Sequence, residues 1–234
     1  MARSPRLVVP GHALHIVRRG DNLAAVFFKH RDYQRYLKIL RDAAKTYVVA
    51  IHAYVLMSDH IDLLVTPADK SGPSRMMQSI GLQYARYLDD AYHRNGSLWE
   101  ERFQSCVIDS GDYFLACCQF IEQSAVRERL VQLPGQYRWS SFHANAKGIS
   151  DSLLSQHPTY ESLGRNQSER IEVYRRRFDV PLEEKTINTI QIELKNGGIF
   201  GSHDFLRYVQ RDDEFGFERN QHGGDRRSVR FRQS

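Results

Sequence analysis

The stretch Ala53-Tyr54-Val55-Leu56-Met57-Ser58-Asp59-His60-Ile61-Asp62-Leu63-Leu64-Val65-Thr66 constrains the fold more than any other part of the chain. Two apolar runs flank a short polar break, Ser58-Asp59, which predicts two strands joined as an antiparallel hairpin. His60 and Asp62 stand two residues apart in the second run. Side chains at i and i+2 of a strand leave the same face. An imidazole and a carboxylate therefore emerge together, with Ile61 and Leu63 facing away. Polar groups on the inner face of a central strand are costly without partners. Two readings answer that cost. The pair holds a divalent metal, since imidazole and carboxylate together suit Mn or Zn, and Mg less well. Otherwise it is a strand end with two hydrated polar groups.

Periodicity fills in the rest. Residues 12–18 alternate as a first strand, and Gly20-Asp21-Asn22 follows as a turn. Residues 31–46 place Tyr33, Tyr36, Leu37, Leu40 and Ala44 at helical spacing. Residues 47–57 form a second, central strand and 61–66 a third, with His60 at its start. After a loop from Pro67 to Pro73, residues 74–94 form a helix with Met76, Met77, Ile80, Tyr84, Tyr87 and Leu88 on its core face. A fourth strand is predicted at 103–109, then a helix at 112–128 capped by Asp109 or Ser110. The order strand-helix-strand-strand-helix-strand is the ferredoxin-like α+β arrangement, an antiparallel sheet with its helices on one face. An extra helix lies after it.

Beyond come short elements around Tyr137-Arg138-Trp139, helices at 168–178 and 181–194, a turn at Gly197-Gly198, and a last helix at 202–211. The expected division is a main domain at 5–145, a helical C-terminal extension at 146–211 and a basic tail at 212–234 that is disordered when free.

Composition bounds the function classes. The chain has 234 residues, 41% apolar and 11% aromatic, enough to bury a core. Its net charge is +5, and the isoelectric point is near 9.1. The charge is uneven, with five Arg and one Asp in residues 219–234, and four Arg and no acids in residues 1–20. Basic ends suit a polyanion. Cys106, Cys117 and Cys118 match neither a zinc pattern nor a disulfide framework and read as buried thiols in a reducing compartment. No run of about 18 apolar residues suggests a membrane span, and the N-terminus does not resemble a signal peptide. The expected location is the cytoplasm.

Leu56-Met57-Ser58-Asp59-His60-Ile61-Asp62-Leu63-Leu64-Val65 after an apolar strand resembles the motif of the HUH tyrosine transposases. The blocks Pro10 to Asn22, Asp32 to Leu37, Gly96 to Phe103 and Tyr137 to Phe142 follow in the order and at the spacing of the REP-associated tyrosine transposases. The resemblance covers roughly residues 5–145. It implies a His-hydrophobic-His metal site on the middle strand and a Tyr nucleophile on a late helix, opening a Tyr-Ile-x-x-Asn-Pro-Val-Arg block. Here Asp62 stands for the second His. The late block reads Phe120-Ile121-Glu122-Gln123-Ser124-Ala125-Val126-Arg127. Phe120 replaces the nucleophile and Ser124 the Asn. A His-to-Asp change swaps one ligand for another and could still hold Mg or Mn. A Tyr-to-Phe change removes the oxygen that would attack phosphorus. Tyr113 lies two helical turns earlier, about 10 Å along the axis, beyond the roughly 3.5 Å of in-line attack, and reads as core packing.

The candidate DNA contacts are Arg18, Arg19 and Asn22 at the first turn, Arg86 and Arg94 on the second helix, Trp99 and Arg102 before the fourth strand, and Arg127 and Arg138. Trp99 beside Arg102 is either a stacking platform for an unpaired base or a residue packed under the sheet. Three functions follow from the resemblance. The chain is a DNA-binding protein on a transposase scaffold, recognising hairpin or single-stranded DNA such as palindromic repeats as monomer or homodimer, without strand transfer and with a regulatory role. Or it is a metal-dependent transposase or nickase in which water or another hydroxyl replaces the Tyr. Or its old DNA face binds another protein.

Overall fold

A computed structural model of the chain describes residues 6–94, 96–100 and 102–211. In order it contains β1 (Ala13–Arg19), α1 (His30–Thr46), β2 (Val49–Leu56), β3 (His60–Pro67), α2 (Gly72–Tyr92), β4 (Gln104–Ile108), α3 (Asp112–Glu122), α4 (Ser124–Arg127), α5 (Phe142–Asn145), α6 (Pro158–Glu161), α7 (Gln167–Arg176), α8 (Glu184–Asn196), β5 (Ile199–Phe200) and α9 (His203–Arg211). The sheet order is β2-β3-β1-β4-β5. Its first four strands are antiparallel, the ferredoxin-like order expected from the periodicity. The tail at 212–234 lies outside the described residues.

Alternation along the strands sorts the side chains into two layers. Leu14, Ile16, Ile61, Leu63 and Val65 join the core beneath α1 and α2, which holds Tyr36, Leu40, Met76, Ile80 and Tyr84. Ala13, Val17 and Leu64 face the opposite core, built with Phe114, Cys117 and Phe120. In β2 the pairing register shifts between Ile51 and Ala53. An extra residue of this kind re-aims the side chains that follow. Ile51 faces the first core, while Ala53 and Val55 face the second. His52, at the shift, is pinned between the Ser155 carbonyl (2.7 Å) and the Thr66 hydroxyl (2.8 Å).

Three sequence expectations need correction. The helix expected at 112–128 is broken at Gln123 into α3 and α4. The carbonyl of Phe120 accepts from the Arg127 guanidinium and the Ser124 hydroxyl, side-chain bonds that compete with helical continuation. Neither Asp109 nor Ser110 caps α3. Gly111 holds the N-cap position with a φ of 63° and no side-chain cap, and the Asp109 carboxylate instead receives the backbone N–H (3.0 Å) and hydroxyl (2.7 Å) of Ser202. The turn after Gly198 contains a two-residue strand, β5, parallel to β4. Tyr87, assigned to the core stripe of α2, does pack at the edge of the first core, with its hydroxyl donating to Asp32 at 2.7 Å.

The C-terminal elements share the second core, since Tyr160, Tyr174, Ile190, Leu194 and Phe200 pack with α3. Glu122 ties these layers together. Its carboxylate accepts from Ser141 Oγ (2.6 Å), Asn145 Nδ2 (2.8 Å) and the Tyr174 hydroxyl (2.9 Å). Burial outweighs these three bonds and pushes the Glu122 carboxyl up to about 7. A folded-state value above the ordinary 4.5 means that stability is full below pH 4.5 and is lost as pH rises through 7. Glu122→Gln should remove that decline, worth up to about 3 kcal/mol. Urea unfolding at pH 4.5 and pH 7.5 measures it, and an unchanged slope in the variant would refute the assignment.

Candidate functional site at the β3 hairpin

β3 begins immediately after the hairpin turn, and its pattern places His60, Asp62 and Leu64 on the second face of the sheet. His15, on neighbouring β1, shares that face. The Asp62 carboxylate lies between two imidazoles, with Oδ1 2.8 Å from His15 Nε2 and Oδ2 3.3 Å from His60 Nε2. The other nitrogen of His60, Nδ1, is 2.8 Å from Asp59 Oδ1 in the turn. Glu128, just beyond α4, reaches to 3.6 Å from His60 Nε2. His15, His60 and Asp62 are all buried, at 0%, 5% and 4% exposure.

This network sets its own charges. Burial disfavours the His60 cation, but the hydrogen bonds and charges of Asp62 and Asp59 outweigh it and raise the ring to about 9. Burial also opposes the Asp62 anion, yet the bonds from His15 and His60 hold that carboxyl well below the usual carboxylate range. His60 is therefore an imidazolium at neutral pH, bonded to a carboxylate through each ring nitrogen.

The two expected metal ligands do not fit a divalent cation. His60 is engaged at both ring nitrogens by carboxylates, and both Asp62 oxygens are turned to imidazoles rather than to a common centre. Among the described residues no group of three or more His, Cys, Asp or Glu side chains could hold a metal ion.

The late helix does meet this strand. Phe120 is 5% exposed, and its ring stands edge-on to His15 with centroids 5.8 Å apart. The Arg127 guanidinium lies 3.9 Å over the same ring and donates to Ser124 Oγ at 2.8 Å. His15, His60, Asp62, Phe120, Ser124 and Arg127 thus form one cluster. It holds no free nucleophile. Ser124 is buried at 2% and engaged by Arg127. Burial pushes the thiol of neighbouring Cys117 far above its ordinary range, leaving it inert. Tyr113 packs edge-on against Phe200 at 5.0 Å, in keeping with a core role.

The candidate DNA contacts divide three ways. Trp99 is buried at 5%, under the Arg18 guanidinium at 4.9 Å, so it offers no exposed platform. Arg18 itself points inward and donates to the Met77 carbonyl at 2.8 Å, over a position where only Gly81 leaves room. Arg127 belongs to the buried cluster. Asn22, Arg86 and Arg138 are exposed, and Arg19, Arg94 and Arg102 partly so. The sequence reading missed His15, Asp59 and Glu128. The signal for His15 was present, since a lone imidazole at an inward position of the first strand poses the same question as His60.

Comparison with known proteins shows a family and a fold. A family model described as "Transposase IS200 like" matches residues 8–124. A solved structure described as the REP-associated tyrosine transposase bound to a REP hairpin superposes with a TM-score of 0.54 at 17% identity, covering 67% of this chain and 93% of that one. A Deinococcus radiodurans R1 protein described as a transposase gives a TM-score of 0.36 at 20% identity, covering 50% of this chain and 93% of its own. No curated protein is significantly similar.

A His60 value raised to about 9 makes its stabilisation complete below pH 6.5 and lost as pH rises through 9. The wild-type unfolding free energy should fall by about 3 kcal/mol across that window. His60→Gln should be less stable than wild type at pH 6.5 and nearly flat to pH 9, as measured by chemical denaturation at each pH.

Proposed function

Because this chain belongs to the IS200-like transposase family, we propose that it is a DNA-binding protein derived from a tyrosine transposase, one that grips hairpin or single-stranded DNA without cutting it. The observation that carries this reading is the environment of Phe120. The resemblance assigns Phe120 the place of the attacking hydroxyl, and its benzene ring is closed in by His15 and Arg127. A covalent DNA intermediate needs an oxygen there. Contacts to phosphate and stacking on bases need none.

DNA binding draws support from the matched family and from the likeness in fold to a transposase bound to a REP hairpin. It also draws on the net charge of +5 and on the exposed Asn22, Arg86 and Arg138. The role that fits is a domesticated transposase, acting alone or as a pair of copies, whose occupancy of palindromic repeats regulates transcription. The reducing cytoplasm suits its three buried, free cysteines. Among the described residues no helix is long and apolar enough to cross a membrane.

Anisotropy titrations with labelled palindromic hairpins should show binding that weakens steeply with salt. Denaturing gels after incubation with the same DNA and Mn should show neither nicking nor protein–DNA adduct. Phe120→Tyr alone should leave both gels unchanged, because the imidazolium of His60 and the saturated Asp62 remain. A covalent adduct with the wild-type chain would overturn the proposal.

A further inference from the structure

We propose that Trp139 is a stacking platform for an unpaired DNA base, placed beside the hairpin turn; this rests on the DNA-binding reading above and adds where an unpaired strand is held. Trp139 is partly exposed, unlike Trp99. It lies face to face on Tyr33, with centroids 4.5 Å apart and planes 8° from parallel. Tyr33 in turn stacks on Phe27 at 4.3 Å and 15°. Three parallel rings therefore run outward from Phe27, which is buried at 4%. A base added at the outer end continues a stack that the protein has already ordered.

The stack is held rigidly and in a telling place. The Trp139 carbonyl accepts from Leu56 N–H at 2.9 Å, and the Tyr137 hydroxyl donates to the Leu56 carbonyl at 2.6 Å. Ser140 bridges to Val55. The backbone N–H groups of Val26 and Phe27 donate to the Ser58 carbonyl at 2.7 and 3.2 Å. The platform is thus anchored to both sides of the turn that carries Asp59 and leads into His60.

Its surroundings suit a polyanion. His30 meets the indole edge-on at 4.6 Å. The Arg138 guanidinium lies over the indole, 5.4 Å from its centroid, as an exposed side chain that an incoming base displaces. Within the described residues neither His30 nor Arg138 makes a hydrogen bond or ion pair that an incoming base would have to break. Residues 29–45 hold six Lys or Arg against Asp32 and Asp42. Asp32 is buried and already receives the Tyr87 and Tyr92 hydroxyls. Arg31 and Lys38 pair with Asp32 and Asp42 at 3.8 and 3.4 Å, and Arg138 is exposed beside the stack; aromatic rings flanked by cations are the elements that hold single strands.

The test uses the full chain and three labelled DNAs, compared by anisotropy: a blunt palindromic hairpin, the same hairpin with a short unpaired thymidine flank, and that flank made abasic. The flanked hairpin should bind about tenfold tighter or more than the blunt one, as expected for one stacked base. The abasic flank should lose that gain. Trp139→Ala should bind flanked and blunt hairpins equally while keeping the blunt affinity, and Trp139→Phe should keep part of the gain. A flank gain that survives in the abasic DNA, or that Trp139→Ala leaves intact, overturns the platform and leaves DNA binding standing. The abasic comparison is made on wild-type protein, so it decides even if Trp139→Ala fails to fold. Absence of wild-type binding to all three DNAs overturns both readings together.

Discussion

The Asp62 carboxylate, held between the imidazoles of His15 and His60, is the interaction on which the rest of the site depends. Two charges taken out of water are tolerated only when each is closely paired and its remaining hydrogen-bonding positions are filled. Asp62 meets that demand from two strands at once. His15 comes from β1, His60 from β3, and Asp59 completes the imidazolium from the turn. Removing any one partner would leave a buried charge exposed to the apolar layer around it. That cost fixes the register of the β1–β3 pair and the position of the turn more tightly than apolar packing alone.

The same turn then organises what lies around it. Its Ser58 carbonyl is taken by the segment that leads to Phe27, and the adjoining end of β2 is taken by Tyr137 and Trp139. On the other side, Glu128 and the Arg127–Phe120 pair close over the imidazoles. A buried ionic cluster and an outward stack of rings are thus two consequences of one hairpin. The cluster is buried at His15, His60 and Asp62 and pairs its own charges, with His15 Nδ1 left without a partner among the described residues. The stack ends in the partly exposed Trp139, beside His30 and beneath Arg138.

Much of this was legible in the sequence, and the reasons are specific. A period of two in 60–65 was enough to put His60 and Asp62 together and Ile61 and Leu63 behind them, because strand geometry leaves no other choice. The place of Phe120 beside His15 and Arg127 was foreshadowed by the resemblance, whose late block falls between the Gly96 to Phe103 and Tyr137 to Phe142 blocks. The partners of Asp62 could not be read so easily. Whether His15 faces His60 depends on which strands pair and in what register, and that is set by contacts far apart in the chain. The two tryptophans show the same limit. Trp99 is buried beneath Arg18, which is distant in the chain, whereas Trp139 stays partly exposed beneath its own neighbour Arg138. The break at Gln123 and the strand at Ile199–Phe200 follow from side-chain competition for a carbonyl and from a free edge on β4, and local propensity reports neither.

In the reading proposed above, a missing phenolic oxygen at Phe120 and the self-paired His60 and Asp62 reinforce each other physically. A ligand set keeps lone pairs aimed at an empty centre, and in a buried place that is expensive until a cation arrives. An imidazolium between carboxylates needs no cation, since its charge is met by groups already in the chain. Once Asp stands where a second imidazole would, the pair can neutralise itself, and His15 supplies the second hydrogen bond. The resulting cluster lowers the energy of the folded state with nothing bound, so a later metal would have to displace a proton and two ion pairs to enter. Restoring a hydroxyl at Phe120 would leave that obstacle in place. The DNA grip proposed above meets no such obstacle, because the exposed Arg138 and the Trp139 stack lie outside that cluster.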